Sequence, residues 1–270
     1  MRKGVGFGLL VVLAMAAALA CEDFDPLELH PDVVSLEVLL VAGESEARML
    51  ASHPHQEGAI PEVSAHLEGP GWEAEFSETL ELEACTVAED VESAKCLGAV
   101  LPEPLRAGTT YALRGTAPLG SFTGETRVPG GPRLSVDTLR LSWPDGGEPR
   151  LPIPFRHQAG SDIGVLAVDV RDIFETRERG TEVELPPYTL RLLPRAIDPA
   201  ATADTVWIDV LGNPLRFSLT LLGIGWHWTN FANVVTPAIR PWPAFGIEGD
   251  GVYGYFDGVT RSPPLRVLVR

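Results

Sequence analysis

The fold class is decided by residues 105–132, LRAGTTYALRGTAPLGSFTGETRVPGGP. In an extended chain, Tyr111 and Leu113 point to one side and Arg114 points to the other, which is the alternation of a half-buried strand. A second strand is predicted over Phe122–Val128, and Pro129–Pro132 ends it. These residues therefore predict β-structure with one face in a core.

The same pattern continues toward the N-terminus, where short apolar segments recur between turn residues. Together with the two strands above, they make roughly seven strands at 8–12-residue spacing, which is typical of a β-sandwich. The additional segments are Val33–Val41, Arg48–Ser52, Val63–Leu67, Trp72–Phe76 and Leu80–Ala84. We expect this first domain to span residues 33–130.

A second, mainly antiparallel β-domain is predicted over residues 131–270. Its segments are again short, and the 27 Gly and 24 Pro of the chain argue against long helices. The predicted strands are Leu134–Trp143, Leu151–His157, Ile163–Val170, Glu182–Leu193, Thr205–Val210, Leu215–Leu222 and Leu265–Val269. Residues 225–234, GWHWTNFANV, lack alternation and predict a short helix.

The N-terminus has the order of a bacterial secretory signal. A positive start, Met1–Lys3, precedes an apolar run that ends in Ala18-Leu19-Ala20-Cys21. This run of about 16 residues is shorter than a membrane-spanning helix requires. The small residues before Cys21 predict a lipoprotein: cleavage after residue 20, acylation of Cys21 and an acidic tether over 21–32. The alternative is ordinary secretion with an unmodified Cys21.

Two cysteines remain if Cys21 carries lipid. An even pair suits an oxidising compartment, so we predict a disulfide between Cys85 and Cys96. It would close an acidic, exposed loop and stabilise the fold by about 3 kcal/mol in the chain-entropy model. The alternative is two free thiols in a reduced cell.

The charge balance limits the partners. The formal net charge is −16, and cleavage of the leader would remove Arg2 and Lys3 and make it −18. Such a surface repels nucleic acid and anionic lipid on average. Nucleic-acid binding is therefore excluded.

Three features resemble one family. Cys21 is followed closely by the strand that opens the fold, and residues 108–113 (GTTYAL) and 124–129 (GETRVP) resemble the close of its immunoglobulin-like domain. Residues 249–256 (GDGVYGYF) resemble its C-terminal signature. The family is the Bacteroidota-type lipoprotein group known as domain of unknown function 4249. The resemblance implies an Ig-like β-sandwich lipoprotein encoded near TonB-dependent receptors, and it implies no catalytic residues.

Several polar groups were considered as sites, and none predicts an enzyme, a metal or a cofactor. His53 and His55, with His66 and Glu57, could bind a metal, but solvated loop histidines are the favoured interpretation. Ser161 lacks the Gly-x-Ser-x-Gly spacing of a nucleophile elbow. Carboxylates cluster in two places, Asp162, Asp169, Asp172 and Glu175 in the first and Glu248 and Asp250 in the second. The second cluster lies among loop glycines and is better explained by a tight glycine turn than by a calcium site.

Aromatic residues concentrate near the C-terminus and define a candidate binding surface. Exposed aromatics beside carboxylates stack sugar rings or grip a protein partner, whereas buried ones fill a core. On a strand, Trp226 and Trp228 would share one face. The candidate residues are Trp226, Trp228, Trp242, Tyr253 and Tyr255, and Phe231, Phe245 and Phe256 lie in the same stretch.

We therefore expect a lipid-anchored cell-envelope protein at the outer membrane, on its periplasmic or surface face. Its role would be binding or accessory, with a TonB-dependent outer-membrane transporter or a glycan as partner. Acidic residues 22–25 resemble surface-export signals of Bacteroidota lipoproteins. The alternatives are a structural or adhesive surface module and a glycan-acting hydrolase.

Overall fold

Strands dominate the computed structural model, as the alternation predicts. The structure describes residues 32–53, 62–81, 84–85, 94–142, 150–177, 181–184, 202–209, 214–234 and 244–269. The strands of the first half are β1 (Val34–Val41), β2 (Glu46–Ser52), β3 (Ser64–Gly69), β4 (Trp72–Glu75), β5 (Glu78–Leu80), β6 (Ala94–Val100), β7 (Thr110–Ala117) and β8 (Gly120–Arg127).

The second half contains further strands and one short helix. These elements are β9 (Arg133–Leu134), β10 (Thr138–Leu141), β11 (Arg150–Gln158), β12 (Val165–Arg177), β13 (Thr181–Glu184), β14 (Ala203–Asp209), β15 (Pro214–Ile224), α1 (Trp226–Val234), β16 (Ala244–Phe245), β17 (Ile247–Gly249), β18 (Val252–Arg261) and β19 (Leu265–Val269). The predicted all-β class and the short helix are confirmed. Within the described ranges, no helix is long and apolar enough to cross a bilayer.

An eleven-stranded sheet, the main sheet, joins both halves of the chain. Its principal order is β10-β19-β15-β18-β1-β2-β6-β5. At its centre β1 and β18 pair in parallel, from Val34 beside Val252 to Val41 beside Val259. Strands from residues 33–130 and from residues 131–270 are therefore hydrogen-bonded neighbours.

Gly254 allows this close parallel pairing. It lies opposite Leu36 with a φ of 105°, a conformation that side chains rarely adopt. A Cβ at this position would overlap the backbone carbonyl of Leu36. Gly254 thus has a structural cause, which is the approach of β18 to β1, whereas Gly249 lies against Phe122 of β8.

The N-terminal half packs as two layers. A five-stranded sheet, β17-β8-β7-β3-β4, faces the main sheet, and one hydrophobic cluster fills the space between them. Its largest buried side chains include Leu36, Met49, Leu67, Tyr111 and Phe122. Burying each contributes about 1.5–3 kcal/mol by removing apolar area from water.

The Tyr111 hydroxyl fixes the turn before β7. It accepts a 2.8 Å hydrogen bond from the backbone N–H of Arg106. A tyrosine at the start of a strand, bonded to backbone a few residues upstream, is the tyrosine corner of immunoglobulin-like sandwiches.

A second hydrophobic cluster occupies the C-terminal half. Leu151 and Ile153 of β11 pack there with Leu166 of β12, Leu219 of β15 and Val267 of β19. Strand β11 belongs to a three-stranded sheet, β14-β11-β9, so this core also lies between two sheets. The surface of the main sheet that faces away from both cores is called the outer face below.

Candidate functional site

The predicted disulfide between Cys85 and Cys96 is confirmed. The loop that the disulfide closes was predicted to be exposed. Its second cysteine, Cys96, instead lies fully buried in β6. Strand β6 was not predicted, and it pairs with both β2 and β5. The bond ties the segment at Cys85 to the main sheet.

A cleft of about 300 Å³ opens beside this disulfide on the outer face. Glu37 of β1 and Tyr255 of β18 line it, with Arg48 of β2 and Arg261 of β18. Cys85 lines it too, so the disulfide-bonded segment borders the cleft. Side chains from three neighbouring strands therefore point into one space.

Tyr255 and Glu37 form the central polar contact of the cleft. They are register partners on parallel strands, and the Tyr255 hydroxyl donates to Glu37 Oε2 over 3.3 Å. Burial raises the pKa of Glu37, and the hydrogen bond from Tyr255 opposes that rise. Burial and the neighbouring Glu37 charge raise the pKa of Tyr255. The phenol therefore stays protonated at neutral pH and acts as a hydrogen-bond donor.

The two arginines of the cleft have acidic partners. Arg48 Nε lies 2.8 Å from Glu46 Oε1, and Arg261 Nη1 lies 3.8 Å from Glu44 Oε1. Arg48 also donates to the backbone carbonyl of Ala84 over 3.0 Å, beside the disulfide. Among the described residues, Glu37 forms no ion pair, so its carboxylate is the one left for a ligand cation or hydroxyl.

Helix α1 lies next to this site and begins at an acidic side chain. Asp257 Oδ2 accepts a 2.7 Å hydrogen bond from the backbone N–H of Trp228, in the first turn of the helix. First-turn N–H groups lack partners within a helix, so Asp257 caps it. It lies between the pairing of β18 with β16, which ends at Tyr255, and its pairing with β15, which begins at Val259. Burial raises the pKa of Asp257, and the Trp228 and Gly258 N–H groups oppose this.

The aromatic residues divide between interior and surface. Phe256 is fully buried in the first core and Tyr255 is 8% exposed, whereas Trp226 is 51% exposed. The ring centroids of Phe231 and Tyr255 are 5.1 Å apart, which places α1 against the cleft residue. The predicted candidates Trp228 and Tyr253 are partly buried, and Phe245 is too. Trp242 lies outside the described residues.

The helix separates two of the aromatic candidates. A strand would put Trp226 and Trp228 on the same face, but the segment is helical, and residues two apart on a helix do not share a face. Trp226 accordingly points outward and donates to the carbonyl of Ser161 over 3.2 Å. Trp228 packs beside Val165, Ile224 and Val259 instead.

The remaining sequence candidates have local structural partners. His53 Nδ1 lies 2.9 Å from the Val33 carbonyl oxygen, and His66 Nδ1 lies 3.2 Å from Glu73 Oε1. Asp162 accepts a 2.8 Å hydrogen bond from the N–H of Gly130, and Asp169 accepts one of 2.7 Å from Arg171. No group of three His, Cys, Asp or Glu among the described residues is arranged to hold a metal ion.

Other candidates are exposed or fall outside the description. Glu248, Asp250 and Asp172 are exposed, and Ser161 lies in an exposed turn. Asp172 adopts a φ of 52° at an irregularity of β12, a conformation that Asp tolerates better than most residues. Cys21, His55 and Glu57 lie outside the described residues.

Sequence reasoning missed Glu37, Arg48 and Asp257. The first carried a signal, because Glu37 is the lone charge within the apolar run of residues 33–41. A charged residue between buried neighbours on a strand indicates either that its side chain faces solvent or that it belongs to a binding site. Asp257 carried no local signal, since its partners Trp228 and Thr126 are distant in sequence.

The chain was compared with models of known protein families and with curated proteins. No model of a known protein family matches the chain, and no curated protein is significantly similar to it. The resemblance to the lipoprotein family stays a prediction, and the candidate site depends on the geometry of the cleft.

Proposed function

We propose that this chain is a lipid-anchored binding protein of the bacterial cell envelope, and that the cleft at Glu37 and Tyr255 holds a small polar ligand. The observation that carries the proposal is a charged cleft bordered by a disulfide-bonded segment. Disulfides persist in exported proteins, where the compartment is oxidising. The cleft supplies a hydrogen-bonding surface that a purely structural module would not need.

The leader supports the envelope location. Residues 1–20 have the order of a secretory signal, and Cys21 follows small residues, as lipoprotein processing requires. Two or more acyl chains on Cys21 would give stable anchoring, whereas one gives only marginal binding. The resemblance of residues 108–113, 124–129 and 249–256 to the lipoprotein family supports the same assignment and adds a TonB-dependent outer-membrane transporter as the proposed partner.

The side chains of the cleft favour binding over catalysis. Glycoside hydrolysis needs two carboxyl groups free to act as acid and as base or nucleophile. Among the described residues that line the cleft, Glu44 and Glu46 are paired with arginines and the cysteine is in the disulfide, which leaves Glu37 as the one unpaired carboxylate. Tyr255 is held as a neutral donor, and Arg48 and Arg261 are held by Glu46 and Glu44. Fixed donors and acceptors of this kind orient a ligand.

The ligand class follows from the charges. With both arginines paired, Glu37 gives the cleft a surplus carboxylate, which favours a ligand that presents an ammonium or hydroxyl group. A cleft of about 300 Å³ is at the small end of the ligand-site range, so it suits a molecule the size of one sugar ring.

Saturation-transfer NMR on the full chain in mild detergent tests the proposal with three probes. Glucose, glucosamine and glucose 6-phosphate share one ring and differ in the charge of one substituent. We expect glucosamine to give the strongest transfer and Glu37→Gln to abolish it, while Arg114→Gln, on the distant strand β7, leaves it unchanged. Absence of transfer from all three probes, or equal loss in both variants, contradicts the proposal.

A further inference from the structure

Within the described residues, four exposed arginines lie on the outer face of the main sheet across β10, β19, β15 and β12, apart from Arg261 of the cleft. Arg140 of β10, Arg266 of β19, Arg216 of β15 and Arg171 of β12 are all exposed. Each is next in sequence to a residue of the second core, such as Leu139, Val267, Phe217 or Val170, so all four point away from that core. We call them the outer-face arginine cluster.

The strand register places these arginines close together. Ser218 of β15 lies opposite Arg266 on one side and opposite Arg171 on the other. Leu268 of β19 lies opposite both Arg140 and Arg216. Arg266 therefore has Arg140 and Arg216 as diagonal neighbours, at roughly 7–8 Å between Cα atoms.

The described residues neutralise only part of the charge of the outer-face arginine cluster. Arg171 pairs with Asp169 at 2.7 Å, and Arg216 lies 4.3 Å above the Phe174 ring. Arg140 and Arg266 form no ion pair with any residue of the described ranges. Exposed Asp137 and Asp172 lie at the margins of the cluster, and neither pairs with these two. Like charges on neighbouring strands destabilise a sheet, and an external anion removes that penalty.

The cluster contrasts with the charge of the whole protein. A net charge of −16 predicts repulsion of anionic surfaces on average, but screening limits this repulsion to about 10 Å at ordinary salt. Concentrated positive charge on one face then acts locally.

The cluster is spread over four strands rather than lining a pocket, and Leu268 and Phe174 lie among the arginines. A broad array of guanidinium groups with interspersed apolar side chains fits lipid phosphates better than a small anion.

We propose that the outer-face arginine cluster docks the protein onto an anionic phospholipid surface. The proposal rests on the anchoring proposed above, because a lipid on Cys21 would hold the protein at the membrane surface. Docking would fix the orientation of the folded part against the bilayer. Arg140 and Arg266 would contribute most, since no acidic residue of the described ranges pairs with them.

Flotation of the full chain with vesicles tests this proposal. Vesicles of phosphatidylcholine alone measure anchoring, and vesicles with about 30% phosphatidylglycerol add negative charge. The informative quantity is the ratio of the partition coefficients for anionic and neutral vesicles, because the anchor contributes equally to both. The Cys21→Ser variant, run in parallel, changes anchoring without touching the cluster.

We expect Arg140→Gln/Arg266→Gln to lower this ratio by about 10- to 30-fold at about 0.05 M NaCl, and about 0.5 M NaCl to remove most of the difference. The matched control, Arg114→Gln/Arg127→Gln, removes the same charge from exposed positions on β7 and β8 and should change the ratio less than about twofold.

Three outcomes overturn the proposal. They are a wild-type ratio near one, an equal fall in both double variants, and retention of the wild type by heparin with no preference for anionic vesicles. The last would assign the cluster to a soluble polyanion. Loss of binding to neutral vesicles alone would instead count against the anchor.

Discussion

The hydroxyl of Tyr255 donates a 3.3 Å hydrogen bond to Glu37 across two parallel strands from opposite ends of the chain. The contact joins residues 218 positions apart, so it exists only when β1 and β18 are paired. The parallel pairing is therefore what creates the floor of the cleft. Stability of the sheet and formation of the candidate site are linked through this pair.

Glu37→Gln should make unfolding less dependent on pH. Because burial raises the pKa of Glu37 above its ordinary 4.5, the folded state holds the proton more tightly than the unfolded state. Stability is then lost as pH rises from about 4.5 through the raised pKa. Buried Asp257 acts in the same direction. We expect the variant to equal the wild type near pH 4 and to exceed its free energy of unfolding at pH 7, measured by urea titration.

The exposed Glu248 provides the control for this titration. Glu248→Gln should follow the wild type across the whole range. A constant offset between Glu37→Gln and the wild type at every pH would show that the raised pKa is not the cause.

Loss of the disulfide should destabilise the fold. Cys85→Ser/Cys96→Ser removes the cross-link over an 11-residue separation, and the chain-entropy model gives a loss of about 3 kcal/mol. Urea unfolding with and without dithiothreitol measures it. On reduction, the free energy of unfolding of the wild type should fall to that of the variant. Reduction should leave the free energy of unfolding of the variant unchanged. Equal stability of the oxidised wild type and the variant would contradict the prediction.

Asp257→Ala should release helix α1. The change leaves the N–H groups of Trp228 and Gly258 without their carboxylate acceptor, at a cost of about 1–3 kcal/mol. Trp228 would then become more exposed, so a red shift of tryptophan emission should accompany the lower melting temperature. Asp250→Ala, in the exposed turn before β18, should do neither. An unshifted emission spectrum in Asp257→Ala would argue against the capping role.

Tyr111→Phe isolates the tyrosine corner. It keeps the buried ring and removes only the oxygen that accepts from Arg106 N–H, so the expected loss is about 1 kcal/mol. Thermal unfolding measures it, with Tyr253→Phe as a control at a partly buried position. A loss no larger than that of the control would show that the hydrogen bond contributes little.

The local pattern predicted most of the strands, though neither β6 nor β18, and it did not predict which strands pair. Alternation around Tyr111 and Leu113 sufficed for β7, because each side chain reports its own face. Strand β6 was missed because Lys95 and Gly98 interrupt its apolar residues, and an acidic loop precedes it.

No local sequence pattern indicates which distant strands pair with each other. The parallel register of β1 and β18, which brings Glu37 to Tyr255, depends on contacts between the two ends of the chain. The outer-face arginines are equally invisible in sequence, since Arg140, Arg171, Arg216 and Arg266 become neighbours only through strand pairing. The net charge of −16 sums the charges of the whole chain, so it does not show that these four arginines lie on one face.

The central claim, a lipid anchor on Cys21, is tested most directly by intact mass and detergent partitioning of the protein produced with its own leader in a bacterial host, beside Cys21→Ser. We expect the wild type to have the mass of the chain from Cys21 plus acyl groups and to enter the detergent phase, and the variant to do neither. An unmodified, water-soluble wild type would contradict the claim and leave Cys21 an ordinary residue.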